Sequence, residues 1–314
     1  MGSDQQVDKM RDVVSNWGRW GRDDELGTVN HISDLSRVDA AKLVKTGITT
    51  SLALPLNRQG MQRPGDQRLN PQHVMLQTGT DLSQGVQPGQ VGGWGYADDM
   101  ITMALQAATH WDGFGHAFYD YRMYNDRSCN LVTANGAEAN SIDKLHDRIA
   151  TRGILLDFPR VMGFDHLDMD HRITVEEIEK VLDLEGVQTR PGDVLIFRTG
   201  NLRRATANGG WQDYSYCDEP GIGIEALPWL HEREVAAVSA DTWAFEGLPS
   251  KSDIWLPFHA CGIVYMGLLV GENFYLENLS TICNDLNRWE FMFVSPPLPF
   301  SKAVGSPINP MAIF

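Results

Sequence analysis

Positive charge is scarce in this chain: 26 Lys and Arg stand against 41 Asp and Glu, a net charge of −15 over 314 residues. A surface that acidic repels phosphate backbones, and no basic cluster offsets it, which argues against nucleic acid as a partner. Cysteine is sparse too. Cys129, Cys217, Cys261 and Cys283 lie far apart and form no CxxC pair, so finger-type structural zinc has no support and reduced thiols are expected. No apolar run approaches the roughly 20 residues of a membrane helix. The longest, Cys261 to Val270, stops at Gly271-Glu272. The first twenty residues lack the apolar segment of a secretory signal, so no membrane role and a cytoplasmic location are expected. There is no GxGxxG after a first strand, no Walker loop, no GxSxG elbow, and no internal repeat. Nucleotide folds and serine nucleophiles therefore lack a footing.

What is present is a globular composition, 42% hydrophobic and 21% charged, with enough apolar material for a large core. Short apolar runs read as strands: Ile48 to Leu56, Arg152 to Phe158, Val194 to Arg198 after the turn Pro191-Gly192-Asp193, Val235 to Ala240, Ile263 to Val270, and Phe291 to Val294. Thr174-Val175-Glu176-Glu177 is a capping box opening a helix to about Leu182, and Gly223 to His231 also reads as helical. Many strands with few long helices predict a β-rich α/β fold. Residues 1–47 read as an N-terminal arm, and 57–99, rich in Gly, Gln, Pro and Asp, as a long loop excursion of the lid or subunit-contact kind.

The segment from Met100 to Asp120 carries the chemistry. On a strand, side chains alternate between faces, so Gln106, Ala108, His110 and Asp112 share one face and Thr109 and Trp111 the other. An imidazole and a carboxylate two residues apart converge above the sheet, where a divalent cation finds nitrogen and oxygen donors. Gly113 and Gly115 let the chain turn and return His116 to the same point, and Gln106 adds an amide oxygen. The same spacing also fits a His–Asp hydrogen bond that ties down a loop.

The run Gln106-Ala107-Ala108-Thr109-His110-Trp111-Asp112-Gly113-Phe114-Gly115-His116 resembles the signature H-x-G-T-H-x-D-x-P-x-H of the cyclase/kynurenine-formamidase-like family of metal-dependent hydrolases. Thr109, His110, Asp112 and His116 match it. Gln106 stands where the family has its first metal His, Ala108 where it has Gly, and Phe114 where it has Pro. Gly153 to Asp157, Gly192 to Gly200 and Ser239-Ala240-Asp241 are similar to the family's middle segments. His259 and the run Met266 to Asn273 resemble its late His and Glu. The opening WGRWGRDDELGTVN and the ending PPLPFSKAVGSPINPMAI are similar to its longer branch, which includes isatin hydrolase.

That resemblance implies one cyclase-like domain over residues 1–314, with a swivelling β/β/α fold. It implies His110, Asp112 and Glu272 as metal ligands, His259 as a ligand or its supporting partner, and His116 as the proton-transfer residue. With Gln106 in place of an imidazole, one ion is favoured over two, and zinc or manganese suits an all N/O donor set. The expected reaction is hydrolysis of an amide, cyclic amide or imide, or lactone by a metal-activated water. Trp111, Phe114, Trp243, Trp94 and Trp20 are the candidate walls of a pocket for a small, ring-containing substrate. A homodimer or homotetramer is implied as well. Two other readings stand beside this one: a cyclase or dehydratase of secondary metabolism, and a weakly catalytic small-ligand binder kept in view by Gln106.

Overall fold

The valine-, leucine- and isoleucine-rich runs of the sequence become neighbouring strands of one sheet. In a computed structural model, residues 5–314 are described apart from 64, 88–90, 208, 212 and 251. Numbering only the strands of this sheet, they are β1 (Thr49–Ser51), β2 (His110–Asp112), β3 (Ala150–Asp157), β4 (Val194–Arg198), β5 (Ala237–Ala240), β6 (Leu269–Glu272), β7 (Glu290–Val294), β8 (Gly305–Pro307) and β9 (Met311–Ile313). Their order is β1-β9-β7-β3-β4-β5-β6-β2-β8. The middle four, β3 to β6, run parallel, and the flanking pairs are antiparallel. β4, β5 and β6 are buried throughout and β3 almost so, as parallel strands covered on both faces must be. The expected β-rich α/β fold is the one observed.

Local sequence sets several boundaries. Thr174 accepts from the Glu177 amide and Glu177 from the Thr174 amide, so the capping box forms and opens a helix over Val175–Glu185. The turn at Pro191-Gly192-Asp193 delivers β4, and Asp193 takes a two-pronged pair from Arg152 of β3 at 2.6 and 2.9 Å. Arg152 also reaches Glu290 of β7 at 2.6 Å, so one guanidinium ties three consecutive segments of the sheet.

Three expectations need correction. The stretch Met100 to Asp120 is not one strand. Asp98–Thr102 pairs instead with Gln72–Gln77 in a separate exposed hairpin, and a turn closed by Ala107 N–H on Ala104 C=O separates it from β2. The 57–99 excursion is accordingly structured, holding half of that hairpin and a capped turn of helix at Gly79–Ser83. The run Ile263 to Val270 is a strand only from Leu269. Pro257–His259 starts a helix that widens into π-type turns over Ala260–Met266 and ends at Gly267, whose φ is +65°. A continuously apolar run carries no period to tell helix from strand. Here Pro257 at the helix start and left-handed Gly267 at its end decide it. A side chain at 267 would also run into the Tyr124 ring.

The N-terminal arm folds back on its own chain. Its helix Gln5–Val14 packs on the π-type segment, Asn16 and Trp17 donate to the Met266 and Val264 carbonyls, and Thr28 donates to Ala236. No helix among the described residues is long and apolar enough to cross a membrane.

Two proposed pocket residues belong to the core. Trp111 is fully buried, edge-on to Phe274 and Phe293 at 5.5 and 6.4 Å, with its indole N–H on the Ser295 carbonyl. Phe114 is buried against Tyr124. Trp111 points away from the face that carries His110 and Asp112, as period-two alternation requires. Trp111→Ala should therefore lower stability by about 3–5 kcal/mol in denaturant unfolding of the metal-free protein. A residue that merely lined a substrate pocket would leave that midpoint in place.

Candidate metal centre

β2 and β6 pair antiparallel with His110 opposite Glu272 and Asp112 opposite Val270. The pairing puts His110, Asp112 and Glu272 on one face, within a single reach of one another. His110 Nε2 lies 3.3 Å from both Asp112 Oδ1 and Glu272 Oε2. Its Nδ1 lies 2.7 Å from the Ala108 carbonyl, which can only accept, so the ring proton sits there and Nε2 faces the carboxylates. Thr109, on the opposite face, accepts from the Leu54 amide and donates to the Asn273 carbonyl, fixing β2 against the chain that follows β6.

The remaining histidines arrive from outside the sheet. After Gly113 the chain turns, with His116 N–H on the Gly113 carbonyl, and His116 Nε2 comes 3.5 Å from Asp112 Oδ1. A quarter of the His116 side chain is exposed, whereas His110 is sealed. His259 ends the short helical turn before the π-type segment. Its Nε2 stands 3.2 Å from Glu272 Oε1 and 3.7 Å from Asp112 Oδ2, so it meets the two carboxylates on the oxygens that His110 does not use. Glu246 aims it. That carboxylate accepts the Phe258 and His259 amides at 3.0 and 2.9 Å and the His259 Nδ1–H at 2.7 Å.

The charges strain against burial. Loss of solvation disfavours an imidazolium at His110, yet Asp112 and Glu272 outweigh it and lift the group to about 9. His259 is raised in the same way, burial being overcome by Asp112, Glu246 and Glu272. Burial would raise Asp112, but His116 and His110 hold it well below the usual carboxylate range. His116 goes the other way: desolvation, helped by the Arg68 charge, lowers it despite Asp112.

This donor set fits a divalent cation. His110, Asp112 and Glu272 each offer one ligand atom, all within 4.8 Å of one another. His110 Nε2 and both Asp112 oxygens are buried and complete no hydrogen bond among the described residues. Orphaned buried donors and acceptors of this kind are costly unless something binds them. Nitrogen and carboxylate oxygen without thiolate are the ligands of zinc or manganese rather than of copper(I) or iron–sulfur chemistry.

The structure brings together five of the singled-out residues: His110, Asp112, His116, His259 and Glu272. Gln106 lies off the strand, in a turn, with its carboxamide against Gly305, the residue paired to Asp112 on β8. Trp243 lies nearby, with Arg68 over its ring at 5.3 Å. Trp94 is exposed on the excursion beside Tyr96, and Trp20 packs in the arm against His31 and Arg19; neither touches the cluster among the described residues. The sequence alone singled out neither Glu246 nor Arg68. Glu246 carried a faint signal, thirteen residues before His259. Arg68 carried none, since only the fold joins the excursion to β6.

A buried imidazole–carboxylate cluster on the face of a mixed sheet is a candidate metal site in an α/β protein, and the comparisons give its family. The family model described as "Putative cyclase" matches residues 67–247, more than half of the chain, a span that includes His110 to His116 and Glu246 but ends before His259 and Glu272. The chain belongs to this cyclase family. A crystal structure described as a novel cyclase is 32% identical, with 97% of this chain and 99% of that one covered at a TM-score of 0.87. Isatin hydrolase A from Labrenzia aggregata, bound to benzyl benzoate, shares the fold at 16% identity, covering 89% of this chain and 98% of its own, TM-score 0.62. A predicted metal-dependent hydrolase from Bacillus stearothermophilus does so at 15%, covering 85% and 98%, TM-score 0.51. No curated protein matches by sequence.

Two outcomes follow from the geometry. His110 near 9 and His259 raised mean that the metal-free site holds imidazolium protons at pH 7, which a cation must displace. Zinc or manganese affinity should climb between pH 7 and about 9, by about tenfold per unit for each proton released, with proton release visible in calorimetry across buffers. A flat profile would contradict the protonation assigned here. Glu246→Gln should weaken metal binding by about 10- to 100-fold, as loss of a group orienting a metal-site histidine does, read by calorimetric titration with zinc.

Proposed function

We propose that the protein is a metal-dependent hydrolase that opens an amide, cyclic amide or imide, or lactone bond of a small ring-containing substrate. The observation that carries this reading is the sealed His110–Asp112–Glu272 triad beside His116, the histidine of the cluster with a quarter of its side chain open to solvent. One divalent ion, zinc or manganese, suits the triad, with His259 on the far oxygens of the same carboxylates. Such an ion supplies Lewis acidity, polarising a carbonyl and making water acidic near neutral pH.

The chain's own residues do the rest. His116, held below the ordinary imidazole value, is neutral at pH 7 and has Nε2 free to take a proton from water and pass it to the leaving nitrogen or oxygen. Asp112, 3.5 Å away, stabilises the imidazolium while the proton is held there. Glu246 keeps His259 in one tautomer, and the Ala108 carbonyl does the same for His110. Cyclisation with loss of water would use the same groups, so product analysis distinguishes the two reactions. We also propose a homo-oligomer: the 72–102 hairpin exposes Val74, Leu76, Met100 and Ile101, an apolar surface that supports a contact between copies.

The test is metal content together with turnover of lactones, cyclic imides, isatin-like rings and formyl-anilides. One equivalent of zinc or manganese and hydrolysis of at least one class are expected. Metal well below one equivalent, with no activity gained on adding either ion, rejects the enzyme reading. His116→Ala should lower kcat by about 10²- to 10⁴-fold with metal content retained; loss of the metal instead would make His116 a ligand.

A further inference from the structure

Arg68 is held differently from the arginines that brace the main sheet. Arg152, Arg160 and Arg198 each close on a carboxylate at 2.6 to 2.8 Å. The carboxylate nearest Arg68 is Glu272, with Nη1 4.0 Å from Oε2, too far for a hydrogen bond. It donates a hydrogen bond to the neutral Gln106 carbonyl, at 3.4 Å, and its guanidinium lies over Trp243. Only a fifth of the side chain is exposed, so a charge is held in place without the partner that burial ordinarily demands. If Glu272 serves a cation, its charge is spent there and Arg68 is left wholly unmatched.

On its outer side Arg68 lines an open cavity of about 440 Å³ with Asp66, Tyr216, Trp243 and Trp255. Asp66 is turned to the backbone, accepting the Arg63 amide at 2.9 Å. The three rings form one cluster. Tyr216 and Trp255 lie nearly parallel, 8° apart in plane with centroids 6.5 Å apart, and Trp243 sits 4.1 Å from Tyr216 and 6.1 Å from Trp255. Tyr216 and Trp255 stay 39% and 56% exposed, large flat faces left open to solvent beside a cation with no carboxylate in hydrogen-bond reach. The indole N–H of Trp243 is buried with no acceptor among the described residues.

We infer that this cavity is the ligand-recognition site of the protein and that it takes a planar aromatic or heteroaromatic ring carrying one carboxylate, the ring against Trp255 and Tyr216 and the carboxylate on Arg68. Arginine's planar fork matches a carboxylate two-pronged, and its stacking on Trp243 fixes the fork before the ligand arrives. Aromatic faces at these spacings accept a further ring by stacking. Arg68 reaches from this cavity to within 4.0 Å of Glu272, so a ligand held by it lies beside the His–carboxylate cluster. One guanidinium reads one negative charge, and no second cation lines the cavity among the described residues, which sets polyanions aside. This inference deepens the hydrolase reading, resting on it for the statement that the ligand is a substrate or product.

Calorimetric titration of the zinc-loaded protein tests it without any turnover. The probes are indole-2-carboxylate, its methyl ester and cyclohexanecarboxylate. Indole-2-carboxylate should bind at least about tenfold more tightly than its ester, the scale of a charge-assisted hydrogen-bonded pair, and about two- to tenfold more tightly than cyclohexanecarboxylate, the range of a ring–ring contact. In Arg68→Gln, with zinc content confirmed equal, the preference for acid over ester should vanish, and Arg68→Lys should restore part of it. Trp255→Ala, at the exposed rim, should weaken indole-2-carboxylate by about two- to tenfold, the range of a ring–ring contact. An acid preference unchanged in Arg68→Gln would assign the carboxylate to the metal and overturn the inference. So would full-strength binding in Trp255→Ala, which stands even if the Arg68 variants fail to fold. Failure of the hydrolase reading looks different: the probes bind with these preferences while no ester, lactone or imide is turned over.

Discussion

Two carboxylates, Asp112 and Glu272, sit where water does not reach, and their charge governs the arrangement around them. An ionised carboxylate moved into a protein interior is tolerated only with compensation. Here compensation comes from three imidazoles, two of them on the same Asp112 oxygen. His110 and His116 take the near oxygens, His259 the far ones, and Glu246 secures His259 from behind. The cluster is matched in kind yet left with orphaned atoms, the condition in which a cation completes it. A chain evolved only for stability would do better with apolar residues of similar size.

The backbone explains why the cluster is sharp. Its two carboxylates and one imidazole come from paired strands of a nine-stranded sheet, whose register fixes which side chains face each other. On the reverse side the same strand plants Trp111 in the core, so a shift by one residue would bury His110 among phenylalanines and expose the indole. His259 is delivered by a helix that loosens into π-type turns immediately after it, a feature that often accompanies functional side chains.

Much of this was legible in the residues. The turn and run from Pro191 to Arg198 became a turn and a strand, and the Thr174–Glu177 capping box formed, because both are decided within a few residues. The alternation of His110, Trp111 and Asp112 separated cluster from core, although Trp111 and Phe114 were also offered as pocket walls and instead pack against Phe274, Phe293 and Tyr124. The rest depended on long-range packing. Gln106 left the strand because a turn intervened, the apolar run before Gly267 took a helical form that no period announced, and Glu272 and His259 were found through family resemblance rather than spacing. Arg68 was invisible because nothing local marks a residue whose neighbours lie about two hundred positions downstream in the fold.

The division between sheet and excursion has a consequence for how such a protein changes. The cluster hangs from strands locked on both sides, whereas Arg68 rides on a segment whose hairpin is exposed along its length and pairs with no strand of the main sheet. With Arg68 as the proposed ligand anchor and the cluster as the proposed cation site, preference and affinity would reside in separately replaceable parts. New preferences can be acquired by rewriting the stretch between positions 57 and 99, or the facing loop around Tyr216, while the ancestral chemistry is inherited untouched.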